Sequence, residues 1–300
     1  ASRLASLAAY LLLASWAVRT AASFRWSIAI AATIPLNLAL AASVSPDGFA
    51  IAAVLLAVAM WTRVEGGGDV ALPALIASTG LLALAKPPYF LVLGLFVASA
   101  LLERTAGRIR AACVAGAGLV VGLAATLINS GDNYQPVTTT MLRSIDYNPD
   151  LQMDHLTGDV PGFLWATADT WVTEYRVYVQ AWFRQLGFWE ADMASVVPWA
   201  FVVILAVSLL ILDGDDMERL SGMRRTIIAL GVAGLVIAMY AASFVYFTDQ
   251  PDYDHIGFQM ARYSVPIAVL VFIACSPRAL IWPARRLGRR FALVGVVGVP

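Results

Sequence analysis

Charge, cysteine and histidine are all scarce in this 300-residue sequence. Only 13% of its residues are Asp, Glu, Lys or Arg, about half the share of an ordinary soluble domain. Hydrophobic residues make up 60%, and the mean hydropathy is +0.75. That excludes a water-soluble globule. The 20 basic and 20 acidic residues cancel, so no basic surplus argues for nucleic acid as a partner. The two cysteines, Cys113 and Cys275, both lie in apolar runs. They predict buried, inert thiols, not a disulfide framework or a zinc site. The two histidines sit in polar connections near Asp150, Asp154 and Asp159 (His155) and near Asp252 and Asp254 (His255). Those spacings match no metal-ligand motif and predict solvated loops. No motif names a cofactor, and a divalent metal stays open only as a general possibility. Also missing are Gly-x-Ser-x-Gly, kinase and zinc-protease signatures. "GAGLVVG" at 116–122 mimics a dinucleotide fingerprint, but it falls inside an apolar run with no strand before it, which predicts helix packing through small residues. "EGGGD" at 65–69 lacks the Gly-Lys-Ser/Thr of a phosphate loop and reads as a turn.

Long apolar runs, by contrast, are plentiful. They predict spans near 4–18, 26–44, 48–62, 70–85, 88–102, 111–128, 193–212, 226–247, 263–282 and a further one from 291. Only helices or closed barrels satisfy the backbone in lipid, and runs of this length are helical. The predicted fold is therefore all-α: a polytopic transmembrane bundle of about nine or ten spans with one large extracytoplasmic loop. It divides into an N-terminal bundle over 1–128, the loop over 129–192 and C-terminal spans over 193–300. Several spans are short for a hydrocarbon core of ~30 Å at about 1.5 Å per residue. Short spans predict snorkelling flanks, an internal cavity or re-entrant segments. The chain begins without Met and ends inside the apolar "FALVGVVGVP". It reads as part of a longer protein.

Basic residues collect in alternate connections, from Arg19, Arg25 and Arg63 through Arg104, Arg108 and Arg110 to Arg224 and Arg225. The positive-inside bias assigns that side to the cytoplasm, and most acids fall on the other. The large connection opens with a polar stretch that reads as an ordered loop. It continues as an amphipathic helix in which Leu164, Ala168, Trp171, Tyr175, Tyr178, Trp182, Leu186 and Trp189 recur every three or four residues, opposite Asp169, Thr173, Arg176, Gln180 and Arg184. Such a helix either lies on the outer membrane surface or packs on its own protein.

Three segments carry a resemblance. "IPLNLALAASVSPDGFAIAAVLLAVAMW" is similar to paired spans joined by a Ser-x-Ser-x-Asp turn. "LLALAKPPYFLVL" resembles a Lys-Pro-x-Tyr hairpin. "GFQMARYSVP" is similar to a Gly-x-Gln-Gly-Arg-Tyr-x-x-Pro segment, although Met260 and Ala261 stand where that pattern has one Gly. "NPDLQ" and "LGFWEADMASVVP" add to the likeness. Together they resemble the bacterial membrane proteins of domain of unknown function 2142, grouped with GT-C glycosyltransferases. The resemblance implies a GT-C-like fold in the bacterial cytoplasmic membrane. It also implies transfer of a sugar from a polyprenyl-phosphate donor to a cell-envelope glycan or lipid-linked acceptor on the outer face. In that family a Pro-Asp-Glu segment lies in the first outer loop, and the resemblance places the main catalytic acid there, ahead of Ala1.

The candidate residues stand at outer span ends. Ser45, Pro46 and Asp47 read as N-cap, N1 and N2 of the third span, where a carboxylate favours the helix dipole. Asp47 also suits a general base toward an acceptor hydroxyl, and the two roles are compatible. Lys86 closes one span ahead of Pro87-Pro88. It is either a snorkelling dipole partner or, with Tyr89 as a second donor, a phosphate contact, since charges held near a membrane core are functional candidates. Arg262 and Tyr263 open the ninth span as an interfacial anchor or as a phosphate-recognising fork, with Gln259 beside them through the resemblance. Two other readings remain: a transporter or flippase of envelope precursors, for which Pro35 and Asn37 inside a span give mild support, and a non-catalytic scaffold.

Overall fold

The computed structural model of the chain describes residues 2–43, 45–130, 149–184, 196–208, 212–213, 216, 220–247 and 263–275. Among them are twelve α-helices, short 3₁₀ segments and no strand. The helices are α1 (Ser2–Thr20), α2 (Arg25–Ala32), α3 (Pro35–Ala42), α4 (Pro46–Glu65), α5 (Leu72–Ala85), α6 (Gly94–Leu102), α7 (Ala106–Ser130), α8 (Pro149–Gly158), α9 (Val160–Arg184), α10 (Val196–Val207), α11 (Gly222–Phe247) and α12 (Ala268–Cys275). A 3₁₀ turn, Tyr89–Leu93, leads into α6, and another, Val265–Ile267, leads into α12. The predicted span from 291 and, within the predicted loop over 129–192, residues 131–148 and 185–192 lie outside the described residues.

Helix α4 is the central column. Its sequence is apolar all round, which suits a helix surrounded by others, and 89% of its apolar window is buried. Helices α1, α3, α5 and the 3₁₀ turn before α12 pack on it. Among the described residues three helices, α4, α7 and α11, are each long and apolar enough to cross a membrane. Helices α2 and α3 together pass the same test, but they are bent by 55° at Thr33–Ile34. The single span expected over 26–44 is thus a broken one. Pro35 denies a donor at the break, and neighbours take up the freed carbonyls. The Tyr10 hydroxyl donates to Ala32 O at 2.7 Å, and Asn37 Nδ2 donates to Ala31 O at 2.7 Å. That is how irregular backbone survives inside a membrane bundle.

Close helix approach depends on glycine. A Cβ on Gly118 would stand 2.3 Å from Thr79 Cγ2, and one on Gly122 would stand 2.6 Å from Phe90 Cγ. The stretch that mimics a nucleotide fingerprint therefore lets α7 press against α5 and the Tyr89–Leu93 turn, as small residues do where packing, not water, drives association. The opposite side of α7 is bare: Val120, Val121, Leu123 and Leu127 are exposed. Cys113 is exposed as well, which corrects the expectation of a buried thiol. Its helix is simply at the bundle's rim.

Two further expectations change. The region around His155 is helix α8, not loop, and the His155 ring lies 6.2 Å from that of Phe244. Burying one face of α8 against α11 orders it. Helix α9 packs on its own protein through Phe163, Ala166, Thr167 and Thr170, with Trp182 and Phe183 further along, while Leu164, Ala168 and Val172 are exposed. The buried stripe is offset from the predicted one because Phe163 and Phe183 reach aromatic partners, Phe244, Phe201 and Phe272, that only the tertiary structure supplies. Asp169, Thr173 and Arg176 are exposed as expected.

Candidate functional site at one end of the bundle

Helix α4 begins where Ser45 caps it. Ser45 Oγ accepts from the Asp47 N–H at 3.3 Å, and its hydroxyl donates to Asp47 Oδ2 at 2.7 Å. Gly48 then sits against α3; a Cβ there would meet Ala41 Cα at 2.6 Å. The Ser-Pro-Asp-Gly turn is tightly seated, and Asp47 is only 3% exposed.

The partner of that buried carboxylate comes from the next hairpin. Helix α5 stops at Lys86, whose backbone is extended ahead of Pro87. The ammonium turns back to Asp47 Oδ1 at 2.8 Å, with its side chain 23% exposed. It also stands 4.1 Å from the centre of the Tyr263 ring, within cation–π reach. The Tyr89 hydroxyl donates to Tyr263 O at 2.9 Å, and the neighbouring Ser264 Oγ accepts from Trp182 Nε1 at 3.0 Å. Five sequence-predicted residues thus meet: Ser45, Asp47, Lys86, Tyr89 and Tyr263. They come from three separate segments, and Lys86 is the only lysine in the chain. Gln259 and Arg262 lie outside the described residues. Among the described residues, no three His, Cys, Asp or Glu side chains group to hold a metal ion.

The other end of α4 is some 30 Å away by helix rise, and it carries a charge cluster of two arginines and two glutamates. Arg224 Nε pairs with Glu65 Oε2 at 2.9 Å, Arg108 pairs with both Glu65 and Glu103, and Arg224 Nη2 reaches Glu103 at 3.3 Å. This ring of four ties α4, α7 and α11 together. Close by, Asp213 and Asp216 cap α2 from far along the chain. Asp216 Oδ2 accepts from Phe24 N at 2.8 Å, and Asp213 Oδ2 accepts from Ser27 N and Ser27 Oγ at 2.7 and 2.6 Å. Helix α2 has no side-chain cap of its own. Burial pushes the Asp213 carboxyl above its ordinary pKa, and the nearby Asp216 charge adds to this. Hydrogen bonds from Ser27 and Trp26 oppose the rise. The acid run at 213–218, on an otherwise basic side, was the signal for this trans cap.

A family model described as predicted membrane protein, DUF2142, matches residues 1–271. The chain belongs to the DUF2142 family. No curated protein and no solved structure matches it. For this DUF2142 protein, membership and the apolar helices together establish a membrane protein built as an all-α bundle in contact with lipid.

Proposed function

We propose that the protein is a GT-C-like glycosyltransferase of the bacterial cytoplasmic membrane. It moves a sugar from a polyprenyl-phosphate donor to a cell-envelope glycan or lipid-linked acceptor at the extracytoplasmic end of the bundle. One observation carries the reading: a lone lysine is fixed at the end of apolar helices by a buried carboxylate, yet remains about a quarter exposed. In transfer, an acceptor oxygen bonds to the anomeric carbon while the bond from that carbon to the phosphate oxygen breaks. The electron pair leaves with the polyprenyl phosphate, and the acceptor's hydroxyl proton passes to the catalytic carboxylate that the family resemblance places ahead of Ala1. Lys86 offsets the growing negative charge on that leaving group, and Arg262, next to Tyr263 in sequence, is its proposed second cation. We assign Asp47 the orienting of Lys86 in place of a general base's part, because its carboxylate is enclosed and held by Lys86 and Ser45. Tyr89 spends its one proton on Tyr263 O and positions that residue.

The test uses polyprenyl phosphate itself as the probe. Binding to full-length protein in nanodiscs is measured for wild type, Lys86→Arg and Lys86→Ala. Loss of one charge-assisted contact, about 1.5–3 kcal/mol, weakens affinity roughly 10- to 150-fold. Lys86→Arg should retain most of it. Unchanged affinity in Lys86→Ala at equal protein level would refute the reading.

A second reading, a transporter or flippase of envelope precursors, is favoured by the bent α2–α3 pair with Asn37 buried beside it. Translocation of a fluorescent polyprenyl-phosphate lipid in vesicles, without sugar transfer, would select it.

A further inference from the structure

We propose that the arginine-rich end of the bundle holds one anionic phospholipid, by its phosphate, in a cleft between α1, α4, α5 and the start of α7. The cleft measures about 560 Å³. Arg63 from the last turn of α4 and Arg110 from α7 border it, and Met60, Val70, Ala71 and Ala74 form an apolar wall. Trp16 and Thr20, one helical turn apart on α1, and Asp69 complete the lining. The guanidinium groups are pinned at the mouth by backbone carbonyls: Arg63 Nε donates to Asp69 O at 2.9 Å, and Arg110 Nη2 donates to Val70 O at 3.1 Å. Carbonyl pinning fixes a guanidinium without neutralising it. The lining carboxylate, Asp69, is fully exposed and stands 3.9 Å from Arg110. It cancels little of the two positive charges, since exposed pairs are weak.

The end-on position of the cleft selects a lipid. Arg63 closes a helix that spans the bilayer, so its guanidinium lies at headgroup depth. Leu12, one turn from Trp16 on the same face of α1, is 72% exposed, and it continues an apolar track from the cleft toward the membrane interior. A phosphate at the two arginines leaves an acyl chain along that track, and a tryptophan at the mouth suits the interface. Basic pockets between spans recognise anionic headgroups on these terms. The site lies at the opposite end of α4 from Lys86, so it is independent of the proposed transfer site.

The experiment is native mass spectrometry of the full chain, released from detergent with phosphatidylglycerol or phosphatidylcholine of matched chains. Wild type should retain phosphatidylglycerol roughly tenfold better. Arg63→Gln/Arg110→Gln should lose that preference, while Arg104→Gln, an exposed arginine outside the cleft, should keep it. A second measurement leaves the arginines intact. Brominated phosphatidylglycerol should quench a tryptophan signal that is absent in Trp16→Phe, and brominated phosphatidylcholine should quench it much less. Equal retention of the two lipids, or quenching indifferent to Trp16, overturns the proposal. So does displacement of the lipid by millimolar inorganic phosphate, which would mark a free-phosphate site.

Discussion

Breaking the Asp47–Lys86 pair from each side should give unequal costs, and the inequality follows from exposure. Lys86→Met takes the ammonium away from a carboxylate that is 3% exposed. Breaking a buried ion pair by removing one partner costs about 3–5 kcal/mol. Asp47→Asn takes the carboxylate away from an ammonium whose side chain is 23% exposed. It can hydrate or extend to the interface and still has the Tyr263 ring, so its cost should be nearer 1–2 kcal/mol. The double variant removes both charges. It should be more stable than Lys86→Met alone, with a coupling energy of at least about 1 kcal/mol. Unfolding in mixed micelles by SDS titration, followed by tryptophan fluorescence, reads all four proteins on one scale. Equal single costs, or additivity within about 0.5 kcal/mol, would refute the claim that this pair is desolvated and mutually dependent.

Three further outcomes follow from the packing and the remote end. Gly122→Ala should destabilise by about 1–3 kcal/mol, since its Cβ meets Phe90. Gly116→Ala, whose Cβ meets nothing within 4 Å, should be neutral or stabilising by up to ~1 kcal/mol; thermal melts of the two in one detergent compare them directly. Glu65→Gln removes the hub shared by Arg108 and Arg224, so it should lower the melting temperature more than Glu103→Gln, whose side chain is 55% exposed. Asp213 gives a pH dependence. Its folded pKa is raised from the ordinary 3.8, so the folded chain holds that proton more readily than the unfolded one. Its stabilising contribution is complete below that ordinary value and is lost as pH rises through the folded value. Wild type should therefore lose stability relative to Asp213→Asn as pH climbs from about 4; a difference that stays flat with pH would count against it.

Much of the architecture was readable because lipid imposes simple rules. The apolar runs gave the helices, the "SPDG" turn gave a Ser45 cap, and "KPPY" gave a hairpin beside it. Those local cues also put Asp47, Lys86 and Tyr263 at span ends. What stayed hidden were pairings between distant segments. Nothing local says that Asp213 caps a helix beginning at Arg25, or that Glu65 meets Arg224. The α9 stripe was misjudged for a similar reason: with Leu164, Trp165, Phe163 and Trp171 close together, periodicity offers more than one apolar face, and only the neighbours choose.

The sequence by itself determined that this chain is a helical membrane protein, because a backbone with too few charges to stay in water must satisfy its own hydrogen bonds. Tertiary structure decided which ions meet. Inside a bundle the cost of an unpaired charge is set by burial and by the nearest partner, and both arise only when helices far apart in the chain pack side by side.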